Sequence, residues 1–228
     1  PVRAVVALSN RANSFMVART GVEADPAKSF ADNVKGKRIA VGTRGGTGYS
    51  ILLYLLKRDG LDPRSDVVLV EIATNAGTVA AMKNGDADLA MVSEPAITQG
   101  VQQGIWQEPF SSMPKELGLF AWTTVNLPET LIKSDPGLAK AVVEASKKSL
   151  DLTFSNEAEM RAIAAEEFPT LPKADLDAIL NRGMANDLWQ RDGAMPEEAW
   201  AKTLSIITIA GMIKEDVPYK DVFDPEFL

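Results

Sequence analysis

The stretch Gly77–Ala96, GTVAAMKNGDADLAMVSEPA, is the part of the chain on which the fold prediction is built. The small apolar residues 78–82 predict a short helix, and Asn84-Gly85 predicts its end, because both residues tolerate a left-handed cap. Leu89–Val92 is a continuous apolar run and predicts a strand buried on both faces. Glu94-Pro95 then predicts the first turn of another helix. In open α/β sheets ligands bind at the carboxyl ends of strands, so we expect a ligand near this loop.

Strands and helices alternate on both sides of this stretch. Ile39–Val41 predicts a strand, and the glycine-rich loop Gly42–Ser50 separates it from a helix that ends at Gly60. Val67–Ile72 predicts the next strand. This alternation from residue 38 to 104 predicts a parallel, doubly wound sheet with right-handed crossovers.

The ends of the chain follow a different pattern. Val2–Leu8 and Phe15–Val17 predict strands, and the polar segment Glu23–Lys35 predicts a linker. Leu119–Val125 is the last apolar run, and after it only helices are predicted. Asp135 with Pro136 predicts the start of a long helix. The further helices are predicted at Glu157–Glu167, Lys173–Asn181 and Pro196–Ile213.

Composition narrows the class of protein. The chain of 228 residues is 46% hydrophobic and 24% charged, with a net charge of −7, which is typical of a globular protein and argues against a nucleic-acid partner. It has no Cys and no His, which removes thiol nucleophiles, Ser-His-Asp triads and most zinc sites. Asp86 and Asp88 alternate on an extended segment and are poor partners for a shared metal. We predict no metal and no cofactor.

The turn Gly42–Gly48 is the best candidate for a ligand contact. Small residues let backbone N–H groups approach an anion, and the helix that follows presents its positive end. Thr47 and Ser50 add hydroxyl groups. The turn lacks the dinucleotide fingerprint, because Ile51 stands where the third glycine belongs, and it lacks a Gly-Lys-Ser/Thr ending. The alternative interpretation is a plain tight turn.

Three further loop positions admit two interpretations each. Thr74-Asn75 contacts a ligand or simply caps the next helix. Glu94 accepts a bond from a ligand amine or anchors the start of a helix through its carboxylate. Arg44 offers a fork to a carboxylate or sulfonate, or is solvated.

Two longer stretches carry a resemblance to a known family. They read GKRIAVGTRGGTGYSILLYLLKRDGL from Gly36 and VEIATNAGTVAAMKNGDADLAMVSEPA from Val70. The chain resembles the nitrate/sulfonate/taurine group of substrate-binding proteins of ABC importers, which includes relatives that bind thiamine-precursor pyrimidines. The matching motifs are Gly36–Val41, Gly46-Thr47, Ala80–Ala87 with Asp88, Glu94-Pro95 and Asp135-Pro136.

The resemblance implies an α/β fold of the two-lobe, type II periplasmic-binding-protein class, with mostly parallel, doubly wound sheets and a ligand cleft between hinged lobes. Carried over, residues 20–122 form lobe II, and residues 1–19 with 123–228 form lobe I. The family begins with further strand–helix units, so we expect an N-terminally incomplete first lobe that lacks about 60 residues or more. The implied ligand contacts are Ser9, Asn10, Gly46, Thr47, Gly48, Thr74, Asn75 and Glu94.

The resemblance also implies a function. The chain would capture a small polar or anionic solute, such as a sulfonate, nitrate or taurine, in the periplasm. It would present this solute as a monomer to an ABC permease of the inner membrane, without catalysis. Two alternatives remain open. One is an enzyme on the same fold, such as a pyrimidine-precursor synthase or a porphobilinogen-type deaminase, which usually has a reactive His, Lys or Cys. The other is the effector-binding region of a LysR-type regulator.

Overall fold

The computed structural model describes all 228 residues, Pro1–Leu228. The strands are β1 (Val2–Ser9), β2 (Phe15–Ala18), β3 (Arg38–Val41), β4 (Val68–Glu71), β5 (Leu89–Val92), β6 (Ser111–Ser112) and β7 (Thr123–Pro128). The helices are α1 (Phe30–Val34), α2 (Thr47–Arg58), α3 (Asn75–Asn84), α4 (Ala96–Gln102), α5 (Met113–Leu117), α6 (Glu129–Ser134), α7 (Pro136–Ser155), α8 (Glu157–Glu167), α9 (Lys173–Ala185) and α10 (Glu197–Ile209).

The chain divides into two compact units. Unit 1 comprises Pro1–Ala12, Leu117–Leu204 and Glu215–Leu228, and unit 2 comprises Asn13–Glu116 and Ser205–Lys214. These bounds differ from the lobes expected at 1–19 with 123–228 and at 20–122. One reason is that β2 pairs with β5 and β6, so its residues belong with unit 2.

Unit 2 contains a five-stranded sheet in the order β4-β3-β5-β2-β6. β3 runs parallel to both β4 and β5, as the alternation of strands and helices predicts. β2 pairs antiparallel with β5 and with β6, so the sheet is mixed rather than wholly parallel. All four residues of β5 are buried, which confirms the prediction of a strand covered on both faces.

Local sequence signals explain where the helices of unit 2 end. α3 ends at the left-handed Gly85, with φ of 76°, as Asn84-Gly85 predicts. α2 buries its apolar face, including Leu52 and Leu56, and Gly60 follows it with φ of 77°. The segment predicted as a linker contains the short helix α1. Its N-cap Ser29 accepts a hydrogen bond from the backbone N–H of Asp32.

Unit 1 is built around the antiparallel pair of β1 and β7, which runs from Val2 opposite Pro128 to Ser9 opposite Thr123. Its helices include α7, whose N-cap Asp135 accepts from the Leu138 N–H, as predicted. One apolar cluster of this unit consists of Val5, Val6, Leu127, Ile132, Ala139, Val143 and Leu150.

The second edge of β1 is also hydrogen-bonded. The Ala7 N–H donates to the Gly193 carbonyl at 2.7 Å, and the Gln190 N–H donates to the Leu8 carbonyl at 2.8 Å. Near the other end of the strand, Ala4 donates to Val222 and accepts from Asp224, both at 2.9 Å. Segments from the C-terminal part of the chain therefore cover backbone groups that an edge strand would otherwise leave open.

The apolar run Leu119–Val125 forms a strand only from Thr123 onward. Before that point the backbone N–H of Phe120 donates to the Asn10 carbonyl, and that of Trp122 donates to the Ser9 carbonyl. These bonds hold the segment beside the end of β1 without regular strand geometry.

Asp88 joins the starts of two neighbouring strands. Its carboxylate accepts from the Arg38 backbone N–H and Nε at 3.0 Å each, and from Arg38 Nη2 at 2.6 Å. Arg19 Nη2 lies 3.6 Å away. The side-chain hydrogen bond from Arg38 lowers the pKa of Asp88 to about 2. The Asp88 carboxylate therefore stabilises the sheet. Asp86, by contrast, is exposed.

We expect Gly100→Ala to destabilise the protein. A methyl group at Gly100 in α4 would overlap the indole of Trp106, which is buried and donates from Nε1 to the Ile97 carbonyl at 3.0 Å. Overpacking should cost about 1–3 kcal/mol in the free energy of unfolding. This cost outweighs the gain of about 1 kcal/mol in helix propensity. Urea unfolding measures the change, with Gly42→Ala as a control at an open position. An unchanged or higher midpoint for Gly100→Ala would contradict the packing.

The Arg38–Asp88 pair predicts a pH dependence. Because the folded pKa of about 2 lies below the reference value of 3.8, the pair contributes stability above about pH 4 and loses it as pH falls toward 2. Asp88→Asn should lower the free energy of unfolding by about 1–2 kcal/mol at pH 7, since solvent screens the partly exposed Arg38. The gap between Asp88→Asn and the unaltered protein should shrink from pH 4 to pH 2 in denaturant titrations. Asp86→Asn is the matched control, and a gap that is constant with pH would refute the linkage.

Candidate functional site

The carboxyl ends of three parallel strands meet at one edge of the sheet in unit 2. Val41 at the end of β3 pairs with Glu71 at the end of β4, and Ala40 pairs with Ala90 of β5. The loops after these strands lead into α2, α3 and α4. This edge, called the amide edge below, therefore contains the predicted residues Gly46–Gly48, Thr74-Asn75 and Glu94.

The start of α2 is the part of the amide edge with no side-chain cap. Gly46 is the N-cap, with φ of −82° and ψ of 160°, and no side chain accepts from the first amides of the helix. The Ser50 hydroxyl does not add a donor for a ligand, because it donates to the Gly46 carbonyl at 2.9 Å. Thr47 is exposed. The first turn of α2 thus has N–H groups without a side-chain cap, next to one exposed hydroxyl, which is an arrangement suited to an anion.

The start of α3 is capped by a side chain. Thr74 is the N-cap, and its Oγ1 accepts from the Gly77 N–H at 3.1 Å. Asn75 is the first helical residue and is exposed. Capping is therefore the use that the structure shows for Thr74.

Glu94 anchors the start of α4. Its carboxylate accepts from the Thr98 backbone N–H at 3.1 Å and from the Thr98 hydroxyl at 3.0 Å. Pro95 is the N-cap, one position earlier than the predicted first helical turn. The negative charge at this terminus complements the helix dipole.

Arg44 lies on the exposed side of the glycine-rich turn. Its Nη2 is 3.5 Å from Glu71 Oε1, and its guanidinium lies 5.5 Å from the centre of the Tyr49 ring. The Arg44 side chain is 77% exposed and already has a carboxylate partner, so the structure gives it no ligand role.

Ser9 and Asn10 belong to unit 1. Ser9 Oγ hydrogen-bonds the backbone of Arg11, donating to its carbonyl at 3.0 Å and accepting from its N–H at 3.3 Å. Asn10 is 4% exposed, and its Nδ2 donates to the Ala194 carbonyl at 2.8 Å. Its Oδ1 is buried without a hydrogen-bond partner. Asn10 lines a cavity of about 320 Å³ in unit 1.

Several residues near these positions were not predicted from the sequence. Asn13 precedes β2 at the amide edge, and its carbonyl accepts from the Ser93 hydroxyl at 2.6 Å. The Asn13 Oδ1 is also buried without a partner. In unit 1 the cavity beside Asn10 is lined by Arg11 and Trp189. Arg11 directly follows a strand end, which is a usable signal, whereas no local pattern singles out Trp189.

The structure contains no group of three or more His, Cys, Asp or Glu side chains arranged to hold a metal ion. None of its helices combines the length and the apolar character that a membrane span requires.

Comparison with known proteins identifies relatives. The sequence profile of the NMT1-like family matches residues 2–166. The putative binding protein YtlA of Bacillus subtilis is 22% identical over 227 residues, which cover 99% of this chain and 66% of YtlA. The riboflavin-binding protein RibY of Chloroflexus aurantiacus is 26% identical over 239 residues, which cover the whole chain and 65% of RibY. The chain thus spans slightly less than two thirds of these two relatives.

A solved structure confirms the fold class. The alkanesulfonate-binding protein SsuA of Xanthomonas axonopodis pv. citri, solved with bound MOPS, superposes with a TM-score of 0.69 at 17% sequence identity. The match covers 94% of this chain and 70% of SsuA. The predicted periplasmic-binding-protein-like α/β fold and the predicted family resemblance are both confirmed. The chain belongs to the NMT1-like family.

Proposed function

We propose that this chain is part of a solute-binding protein that captures a small anionic solute in the periplasm and delivers it to an ABC permease of the inner membrane. Membership of the NMT1-like family supports a binding role, as do the names of the relatives YtlA, RibY and SsuA. The protein works as a monomer and makes or breaks no covalent bond. The absence of His and Cys from the chain agrees with binding rather than with nucleophilic catalysis.

The observation that carries this proposal is the uncapped start of α2 at the amide edge. The residue Gly46 has no side chain to occupy the N–H groups of the first turn, whereas Thr74 and Glu94 cap the neighbouring helices. The twelve-residue helix behind these N–H groups adds a positive partial charge. Both features favour an oxyanion as the ligand.

The chemistry of the amide edge also guides the choice of solute. The relatives bear the names of different ligands, riboflavin for RibY and alkanesulfonate for SsuA. N–H groups and a threonine hydroxyl at a helix start match a compact negative group better than a neutral one. We therefore propose a sulfonate-, nitrate- or taurine-like solute, with Gly46, Thr47 and Gly48 as its contacts in unit 2.

Two substitutions of Thr47 distinguish the contribution of its hydroxyl to binding from that of its backbone N–H. Thr47→Val removes only the hydroxyl and should weaken binding by about 1 kcal/mol. Thr47→Pro also removes the N–H, and we expect about tenfold or more additional loss because the amide bonds a charged group. Proline is suited to this first helical position, and the extended Gly46 accommodates a following proline. Isothermal titration with ethanesulfonate and with nitrate measures the affinities.

Thermal unfolding of both variants is the control for folding. Unchanged affinity in a folded Thr47→Pro protein would remove the first turn of α2 from the site. If neither probe binds to the unaltered protein, the proposal of anion capture fails.

Thr74 should behave as a structural cap rather than as a determinant of affinity. Thr74→Ala removes the acceptor for the Gly77 N–H and should lower the free energy of unfolding by about 1 kcal/mol. Thr74→Ser keeps the acceptor and should retain most of the stability. Urea unfolding measures both variants. Equal stability of the Ala variant and the unaltered protein would show that the cap contributes nothing.

A further inference from the structure

The cavity in unit 1 is large enough for a small organic molecule. Its volume is about 320 Å³, at the lower end of the range typical of ligand pockets. Its lining includes Asn10, Arg11, Asp187, Trp189, Arg191 and Asp192. All of them belong to unit 1.

Arg11 is a partly buried cation in this cavity without a carboxylate partner. The arginines Arg3, Arg19 and Arg161 are also partly buried, and each lies within 4 Å of a carboxylate. The Arg11 guanidinium makes no ion pair and no hydrogen bond, although Asp187 and Asp192 line the same cavity. A partly buried cation without a partner loses part of its hydration, and an anionic ligand would compensate for that loss.

The backbone on both sides of Arg11 is held in place. Ser9 Oγ bonds both backbone groups of Arg11, and the Asn10 carbonyl accepts from the Phe120 N–H at 3.0 Å. The Arg11 side chain therefore extends from a backbone that is held by hydrogen bonds. Its planar fork suits the paired oxygens of a carboxylate or sulfonate.

Trp189 supplies an apolar wall. After α9, Asp187 adopts a positive φ of 49°, and the indole of Trp189 then packs against Gly183, where a Cβ would lie 2.5 Å from the ring. Trp189 remains partly exposed in the cavity. A partly exposed indole favours a ligand with an apolar or aromatic body over a bare inorganic ion.

Two other groups strengthen this site. The Arg191 guanidinium lies 3.9 Å from the centre of the Phe154 ring, which holds a second cation at the cavity. Asn10 Oδ1 is an unpaired buried acceptor. Gln190 Nε2 and Asn10 Nδ2 both donate to the Ala194 carbonyl, at 2.8 Å each.

We propose that Arg11 binds the acidic group of a small organic oxyanion, a sulfonate or a carboxylate, with Trp189 against the apolar part of the molecule. This inference rests on the proposed solute-binding function, because it names a ligand contact within unit 1 and the chemical class of that ligand.

The test compares charged and neutral probes of equal shape. Benzenesulfonate and benzoate test the two acidic groups, and benzenesulfonamide is the neutral counterpart of the sulfonate. Isothermal titration measures each probe against the unaltered protein, Arg11→Gln, Arg11→Lys and the control Arg64→Gln, an exposed arginine without an ion-pair partner. Each Arg11 variant is thus compared with the unaltered protein for both a charged and a neutral probe. The difference between these two comparisons measures the interaction of the Arg11 charge with the probe charge, separately from any general effect on folding.

We expect Arg11→Gln to weaken binding of the anionic probes by about 10- to 100-fold. Its effect on benzenesulfonamide should be small. Arg11→Lys should recover only part of the affinity, since lysine lacks the bidentate fork. Arg64→Gln should change nothing, and Trp189→Ala should weaken benzenesulfonate more than ethanesulfonate.

The outcomes separate this inference from the proposed function. If the anions bind and Arg11→Gln binds them equally well, the role of Arg11 is overturned while the solute-binding function stands. Equal losses for benzenesulfonate and benzenesulfonamide would also overturn it, because they would indicate a change in shape rather than in charge. If no anionic probe binds to the unaltered protein, both proposals fail.

Discussion

The pairing of β5 with strands on both of its sides is the constraint on which the rest of unit 2 depends. Every residue of Leu89–Val92 is buried, and the strand pairs with β3 on one side and with β2 on the other. Because β3 is parallel to β5 and to β4, the loops after all three strands reach the same edge. Asp88 secures this register from the opposite end through its hydrogen bonds to Arg38. The position of the amide edge follows from this arrangement.

Capping of helix N–H groups distinguishes the three helix starts at the amide edge. The first turn of every helix has donors without partners inside the helix. Thr74 meets part of this need in α3, and Glu94 meets part of it in α4. Gly46 offers nothing comparable in α2. Because one of three neighbouring helix starts has no side-chain cap, its donors are the ones that we propose for a ligand.

The same reasoning about unpaired polar groups applies to unit 1, although the chemical groups differ. Most partly buried arginines of the chain have carboxylate partners, and Asp88 even serves two of them. Arg11 lacks such a partner, and its neighbour Asn10 has a buried oxygen without a hydrogen bond. Unmet groups next to a cavity are where physical chemistry favours a ligand. In unit 2 the proposed contacts are backbone amides, whereas in unit 1 they are side chains.

The sequence by itself determined the features that depend on local chemistry. The buried strand Leu89–Val92, the helix end at Gly85 and the cap at Asp135 are each decided by neighbouring residues, so periodicity and capping rules predict them. The glycine-rich turn before α2 was identified for the same reason. Only the tertiary structure decided the antiparallel direction of β2, because that direction depends on pairing with distant strands. It also decided that Arg11 and Trp189 line one cavity, since contacts between distant residues leave no periodic trace in a single sequence.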